Sequence, residues 1–160
     1  MQLLELIPLT PELKLLEVTA ALTPLSERVA AHLESCEGIY NIELYPGGED
    51  YGVVLPEWVK LHTLPHLKSP FRATSREFEI VILNDLLDKH QFPDKILQVC
   101  YRTLENSGGL ILIQRKESMP LEAIKEALEQ CEFRAINDID LMEDYYVVTG
   151  KKMHMWGNGL

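Results

Sequence analysis

The chain has 160 residues, 46% of them hydrophobic and 25% charged, which is typical of an ordinary globular domain. Its formal net charge of -10 argues against nucleic acid and anionic membrane surfaces as partners, since both are bound by clustered lysine and arginine. No apolar run approaches the roughly 20 residues needed to span a bilayer, and the N-terminus lacks the basic start of a signal peptide. We therefore expect residues 1–160 to form a single domain in the cytoplasm.

Cysteine and histidine spacing gives no indication of a metal site. Cys36, Cys100 and Cys131 form no C-x-x-C pair and no zinc-ligand spacing. His62 and His66 are four residues apart, but a proline intervenes and no third ligand is evident. Cys100 and Cys131 fall on apolar helix stripes, so we expect them to be small core residues in a reducing compartment.

The first part of the chain alternates between predicted strands and helices. Residues 1–11 contain two prolines and predict a short extended arm rather than a helix. A buried strand is predicted at 13–18, a helix at 24–35 with Pro24 in its first turn, and a second strand at 39–44.

The region from residue 51 to residue 76 has the weakest pattern. Residues 46–50, Pro-Gly-Gly-Glu-Asp, break regular structure before it. Residues 59–64 fit a strand, but no full helix can be placed between this strand and the preceding one. We therefore expect this side of the sheet to be thinly covered.

Residues 78–113 predict a strand, a helix and another strand. The runs at 78–83 and 110–113 are short and rich in β-branched residues, as in strands buried on both faces of a parallel sheet. Between them, residues 93–105 have apolar side chains at helical spacing, with a proline in the first turn and Gly108 just past the end. This order makes a βαβ unit with a right-handed crossover.

The end of the chain predicts a helix and an antiparallel hairpin. The helix spans residues 120–130, and the two strands at 133–142 and 145–153 are joined by an acidic turn. The segment Met153-His154-Met155-Trp156 could form an exposed apolar end that docks on a partner. The hairpin is the candidate surface for association with a second copy of the chain.

The alternation of elements predicts an α/β fold: a doubly wound, mostly parallel sheet with helices on both faces and the antiparallel hairpin at its end. Ligands of such sheets bind at the carboxyl ends of the strands, near the switch in strand order. We therefore expect the turns that follow Val18 and Leu83 to lie at one edge and to form the working site.

These elements resemble the class I S-adenosylmethionine-dependent methyltransferase family, a Rossmann-like fold with a seven-stranded sheet. Residues 78–87, F-E-I-V-I-L-N-D-L-L, resemble the family's fourth strand and the following loop. Residues 101–113, with the pattern R-x-L-x-x-x-G-G, resemble its helix end, glycine turn and fifth strand. The resemblance implies S-adenosylmethionine as cofactor and methyl transfer as activity.

The family's glycine-rich motif, D/E-x-G-x-G-x-G, is altered in this chain. Residues 17–23 read E-V-T-A-A-L-T, so that Glu17 supplies the acid while threonine and alanine replace the glycines. The resemblance places cofactor contacts at Glu17, Thr19, Ala20 and Ala21. Each added Cβ narrows the approach of the cofactor to the backbone.

Further site residues follow from the resemblance. Glu43, near the end of the second strand, corresponds to the acid that binds the ribose hydroxyls, although it could equally be a solvated carboxylate. His62 and Thr63 lie where the adenine binds. Asn84 and Asp85 follow the fourth strand, where family members contact the cofactor amine or the substrate, although both are also ordinary turn residues. We expect Asp85 and His90 to lie near the methyl acceptor.

Two functions fit this sequence. The first is a small methyltransferase in which positioning of a small-molecule acceptor does most of the catalytic work. The second is a catalytically inactive methyltransferase-like domain that acts as a binding, regulatory or scaffold subunit for a protein partner. The replaced glycines and the short region after Leu44 favour the second function, whereas the acids Glu17 and Glu43 favour the first.

Overall fold

Seven strands form one sheet in the computed structural model, which describes residues 2–153. The strands are β1 (Lys14–Thr19), β2 (Ile39–Leu44), β3 (Lys60–Thr63), β4 (Phe78–Asn84), β5 (Leu104–Arg115), β6 (Arg134–Ile139) and β7 (Tyr145–Lys151). The helices are α1 (Pro24–Glu34), α2 (Pro93–Thr103) and α3 (Leu121–Gln130), preceded by a 3-10 turn at Leu3–Leu6. The strand order is β3-β2-β1-β4-β5-β7-β6.

The first five strands pair in parallel, and β7 runs antiparallel to both of its neighbours, β5 and β6. This arrangement confirms the predicted doubly wound sheet with an antiparallel C-terminal hairpin. Of the predicted docking segment 153–156, Met153 is exposed, and residues 154–156 lie outside the described residues.

Strand alternation divides the core into two layers. On one face, Leu16 and Val18 of β1 pack with α2 and α3; on the other, Leu15 packs with Val29 and Leu33 of α1. Both faces of β1 are therefore buried, as the continuous apolar runs predict for central parallel strands.

The register of β1 and β4 places their ends side by side. Val18 lies opposite Leu83, and Thr19 lies opposite Asn84. After β1 the next strands, β2 and β3, are added on one side of the sheet, whereas after β4 the next strand, β5, is added on the other side. The switch in strand order therefore falls between β1 and β4. The predicted meeting of the two turns at one edge is confirmed.

Two local predictions are wrong. The N-terminal arm is not extended, because Leu3–Leu6 forms a 3-10 turn before the first proline of the chain at Pro8. Gly108 does not follow a helix end, because α2 stops at Thr103 and β5 begins at the next residue. A Cβ on Gly108 would lie 2.8 Å from the Glu105 carbonyl oxygen and 3.1 Å from that of Glu79. Gly108 is therefore required by close packing against the backbone of β5 and β4, not by the end of a helix.

The region between β2 and β4 is thinly covered, as expected. Among the described residues it contains only the short strand β3, whose four residues are all exposed, and no helix.

The two cysteines expected in the core differ in burial. Cys100 is fully buried on α2, while Cys131 is only half-buried. No helix in the described part of the chain is long and apolar enough to cross a membrane.

Candidate functional site

A cavity of about 500 Å³ opens where the turns after β1 and β4 meet the end of β5, and we call it the carboxyl-edge cavity. Its volume lies within the usual range for small-molecule sites, about 300–1,000 Å³. Its walls are formed by Thr19, Ala20, Ala21, Thr23, Gly47, Gly48, Glu49, Tyr51, Asn84, Asp85, Asp88, Lys89, Arg115, Glu117, Ser118 and Tyr145.

The turn after β1 closes on itself through Thr19. The Thr19 hydroxyl accepts a hydrogen bond from the Ala21 N–H at 3.2 Å, and its own hydrogen has two acceptors within reach, the Ala21 carbonyl at 3.0 Å and the Asn84 carbonyl at 3.2 Å. None of the residues at 19–23 has a positive φ, so this turn forms without the backbone freedom of glycine. The side chains that replace the glycines therefore occupy space beside the turn but do not strain its backbone. The Ala21 N–H is already bonded to the Thr19 hydroxyl, so it is not free for a ligand.

The loop after β2 packs directly on this turn. A Cβ at Gly48 would lie 2.0 Å from the Ala20 carbonyl oxygen and 2.9 Å from the Ala21 Cβ, closer than real atoms approach. Only glycine fits at this position. The loop thus forms a wall of the carboxyl-edge cavity on the side of β2.

Glu17 lies beneath the turn and does not line the cavity. It is fully buried on the α1 face of the sheet, where the Tyr40 hydroxyl donates to Oε1 and the Asn84 side-chain amide donates to Oε2 at 3.4 Å. Burial raises the pKa of Glu17, and the hydrogen bonds from Tyr40, Asn84 and Ser26 partly oppose that rise. The acid of the altered motif therefore contacts protein side chains.

Glu43 and His62 form a pair on neighbouring strands. The His62 Nδ1 atom lies 2.6 Å from Glu43 Oε1, and the two residues are directly opposite in the β2–β3 register. Burial raises the pKa of Glu43, while the contact with His62 lowers it. Neither residue lines the carboxyl-edge cavity, and neither does Thr63, although Glu43 lies opposite Val18 in the β1–β2 register.

Asp85 stands at the centre of a charged network on the wall opposite the turn. Its Oδ2 atom lies 3.0 Å from Arg115 Nε and 3.1 Å from Lys89 Nζ. Its Oδ1 atom is buried and has no hydrogen-bond partner among the described residues, and its φ of 51° is in the left-handed region. Strained backbone and an unsatisfied buried acceptor together are typical of functional sites.

His90 is not brought to the cavity. It is 4% exposed, its Nδ1 atom accepts the Phe92 N–H at 2.9 Å, and its Nε2 atom lies 3.0 Å from the Ser69 carbonyl oxygen. Its ring meets that of Tyr45 edge-on, with centroids 5.3 Å apart. Both ring nitrogens are thus occupied by backbone groups, which gives His90 a structural role in holding the loop that contains Ser69.

Several cavity residues were not predicted from the sequence. Lys89 and Arg115 neutralise Asp85, and Tyr145 lies 5.8 Å beneath the Arg115 guanidinium. Arg115 could have been found, because it ends β5 and the carboxyl end of every parallel strand belongs to this edge. Gly48 and Tyr145 reach the cavity only through tertiary contacts.

A second cavity, of about 490 Å³, lies at the opposite edge of the sheet, near the starts of β4 and β5. Glu79, Gly108 and Lys151 are among its walls. It lies at the amino ends of the strands, whereas ligands of this fold class bind at the carboxyl ends, so the carboxyl-edge cavity is the candidate site.

Comparison with known proteins gives structural likeness without sequence likeness. No protein-family model matches the chain, and no curated protein sequence matches it. Among solved structures, phosphoethanolamine N-methyltransferase 2 of Haemonchus contortus, in complex with S-adenosyl-L-methionine, superposes with a TM-score of 0.74 at 11% identity, over 95% of this chain and 51% of that chain.

Two further solved structures are similar in fold at low sequence identity. The CurJ carbon methyltransferase gives a TM-score of 0.70 at 14% identity, over 94% of this chain and 51% of that one. A chain of the complex between the Haloferax volcanii Trm112 methyltransferase activator and a methyltransferase gives 0.70 at 8% identity, over 94% and 87%. The chain spans about half the length of the first two proteins. Its fold is that of the class I S-adenosylmethionine-dependent methyltransferases.

Proposed function

We propose that the protein is a small S-adenosylmethionine-dependent methyltransferase that binds this cofactor in the carboxyl-edge cavity. The observation that supports the proposal is the cavity itself: about 500 Å³ between the turns after β1 and β4, at the switch point of a methyltransferase fold. Fold alone does not define function, so the proposal must also agree with the groups that line this space.

The described residues offer a fit to the cofactor. The buried Oδ1 atom of Asp85 lacks a donor, and an ammonium group such as that of the cofactor's methionine portion would supply one. Thr19, Ala20 and Ala21 are small enough to leave the cavity open beside the turn. When bound, S-adenosylmethionine supplies an electrophilic methyl group on a positively charged sulfur.

The chain's own groups then orient the reactants. Asp85 is held in place by Arg115 and Lys89, so its carboxylate is fixed at the cavity wall, where it would contact the cofactor amine or the acceptor. Glu43 would offer ribose hydroxyls its second carboxylate oxygen, since His62 contacts only Oε1. Thr63 and His62 remain proposals for the adenine side. Free cysteines fit a reducing compartment such as the cytoplasm.

A second candidate function is a non-catalytic domain that binds a protein partner. The close packing of Gly48 on Ala20, and the use of the Ala21 N–H by Thr19, favour this alternative because both tighten the turn. One structural neighbour is a complex with a methyltransferase activator, which makes a protein partner a reasonable proposal. The terminal hairpin, with β6 as an edge strand, is the proposed surface for a second copy.

Calorimetric titration with S-adenosylmethionine and S-adenosylhomocysteine separates the two functions. We expect saturable binding with a dissociation constant below about 1 mM, equivalent to more than about 4 kcal/mol. In Asp85→Asn the affinity should fall roughly tenfold or more, because the amide oxygen would stay with Arg115 and Lys89 and the uncharged NH2 donor would face the ammonium group. The matched control is Asp140→Asn, at an exposed aspartate outside the cavity walls, which should bind normally.

Absence of both heat and thermal shift at millimolar cofactor would overturn the methyltransferase proposal. That result, together with a stable complex between this chain and a partner subunit, would support the non-catalytic function. Equal affinity in wild type and Asp85→Asn would instead remove Asp85 from the site while leaving cofactor binding in place.

A further inference from the structure

A buried hydrogen-bond chain connects β2 to the wall of the carboxyl-edge cavity. The Tyr40 hydroxyl donates to Glu17 Oε1, and the Asn84 side-chain amide donates through Nδ2 to Glu17 Oε2. Tyr40 and Glu17 are fully buried, whereas Asn84 is 8% exposed and lines the cavity. Asn84 is therefore the point at which this internal chain meets the candidate site.

The orientation of Asn84 decides what the cavity offers a ligand. A side-chain amide has a donor side and an acceptor side, and here Glu17 takes the donor side. No hydrogen bond to Asn84 Oδ1 is found among the described residues, and this atom is not among the buried unsatisfied ones. The Oδ1 acceptor is thus left for the cavity.

The neighbouring residue adds a second demand for a donor. Arg115 and Lys89 both bind Asp85 through Oδ2, which leaves the buried Oδ1 without a donor. Two acceptors on consecutive residues, both lacking donors, match a ligand group rich in N–H and positive charge. Such a group is an ammonium.

We propose that Glu17 is a positioning residue that fixes the Asn84 amide with Oδ1 toward the cavity, so that the site selects a ligand bearing an ammonium group. This inference rests on the proposed function, in which that group is the amine of the cofactor's methionine portion. Glu17 itself does not touch the ligand.

The groups around Glu17 leave few other arrangements. Tyr40 approaches from β2, Ser26 from α1 and Asn84 from β4, and all of them hydrogen-bond with its carboxyl group. Every cationic side chain at the cavity is directed to Asp85, so none competes for the Glu17 carboxyl. Of the three partners of Glu17, which are Tyr40, Ser26 and Asn84, only Asn84 also lines the cavity.

The variant Glu17→Gln inverts the arrangement. Its amide keeps an acceptor for Tyr40 but presents a donor to Asn84, which must turn Oδ1 inward and expose Nδ2 to the cavity. By calorimetry, affinity for S-adenosylhomocysteine should fall about tenfold or more. Affinity for 5′-methylthioadenosine, which has no amino group, should not change. Melting temperatures of both proteins show whether the fold is retained.

The double variant Glu17→Gln/Asn84→Asp provides the rescue. A carboxylate at position 84 accepts from the glutamine and still offers an acceptor to the cavity, so affinity for S-adenosylhomocysteine should return to within about threefold of wild type. A purely structural role for Glu17 would not give this recovery. If Glu17→Gln does not fold, Asn84→Ala serves instead, and it should lose S-adenosylhomocysteine but not methylthioadenosine.

A measurement without ligand separates this inference from the proposed function. In nitrogen-15 spectra, the Asn84 side-chain amide protons should exchange slowly with solvent in wild type and at least tenfold faster in Glu17→Gln. Unchanged exchange, or an equal loss of both nucleoside ligands in Glu17→Gln, would overturn the positioning role. Failure of wild type to bind S-adenosylhomocysteine, with the exchange difference present, would overturn only the proposed function and the choice of ligand.

Discussion

Glu17 illustrates what a single buried carboxyl group contributes. Its position in a strand buried on both faces could be predicted from the apolar run around it, but its partners could not. Alternation sends it to the α1 face, where Tyr40 lies on the next strand. Because both faces of β1 are apolar, the sequence pattern does not distinguish a side chain at the cavity from one beneath it.

Stability should depend on pH through Glu17. Its pKa in the folded protein is raised above the ordinary value of 4.5, mainly by burial, so folding favours the protonated form. Its contribution to the free energy of unfolding is therefore greatest below pH 4.5 and declines as pH rises toward the folded pKa. In Glu17→Gln this decline is absent.

Urea unfolding of the two proteins between pH 5 and pH 8 measures the difference. The variant should gain on wild type as pH rises, by at most about 1.4 kcal/mol per pH unit. Other carboxyl groups are common to both proteins, so their contributions cancel. Parallel curves for wild type and variant would show that Glu17 titrates alike in the folded and unfolded chains.

Asp85 and His90 show how far site residues could be predicted. Both follow β4, and the sequence alone places both near its carboxyl end. The left-handed backbone at Asp85 directs its side chain to Arg115 and Lys89, whereas His90 turns inward to Ser69. These directions depend on tertiary contacts that no local pattern encodes.

At the scale of elements, the contact between two loops shapes the site. The break at residues 46–50 could be predicted from its proline and glycines, but its packing on the turn after β1 could not, because that contact joins distant parts of the chain. Gly48 is the residue that allows the contact, since a Cβ there would overlap the Ala20 carbonyl.

Gly48→Ala should destabilise the protein by about 1–3 kcal/mol, the usual cost of overpacking. The loop would have to move away from Ala20, and the cavity wall on the β2 side would shift with it. Gly109→Ala is the matched control, because its Cβ would meet only ordinary contacts at 3.8 Å. Chemical unfolding of both variants gives the comparison. Equal stability of the two variants would mean that the loop at 46–50 is not closely packed against the turn after β1.

At the scale of the whole molecule, the order of elements was sufficient to predict the architecture. Alternating strands and helices predict the mostly parallel, doubly wound sheet and the antiparallel hairpin at its end. The order β3-β2-β1-β4-β5-β7-β6, with β7 inserted beside β5, comes from the structure. The meeting of the turns after β1 and β4 at one edge could also be predicted, because the carboxyl ends of parallel strands lie on the same side of a sheet. The shape of the cavity could not be predicted, because its walls combine the turn after β1 with the loop after β2, which is distant in sequence.

A crystal structure of the protein with S-adenosylhomocysteine would show whether the carboxyl-edge cavity binds the cofactor. We expect the ligand in the carboxyl-edge cavity, beside Thr19 and Ala21, with its amino group within hydrogen-bond distance of Asn84 or Asp85. A structure obtained at saturating ligand in which this cavity holds only solvent, or in which the ligand lies at the opposite edge near Gly108, would contradict it.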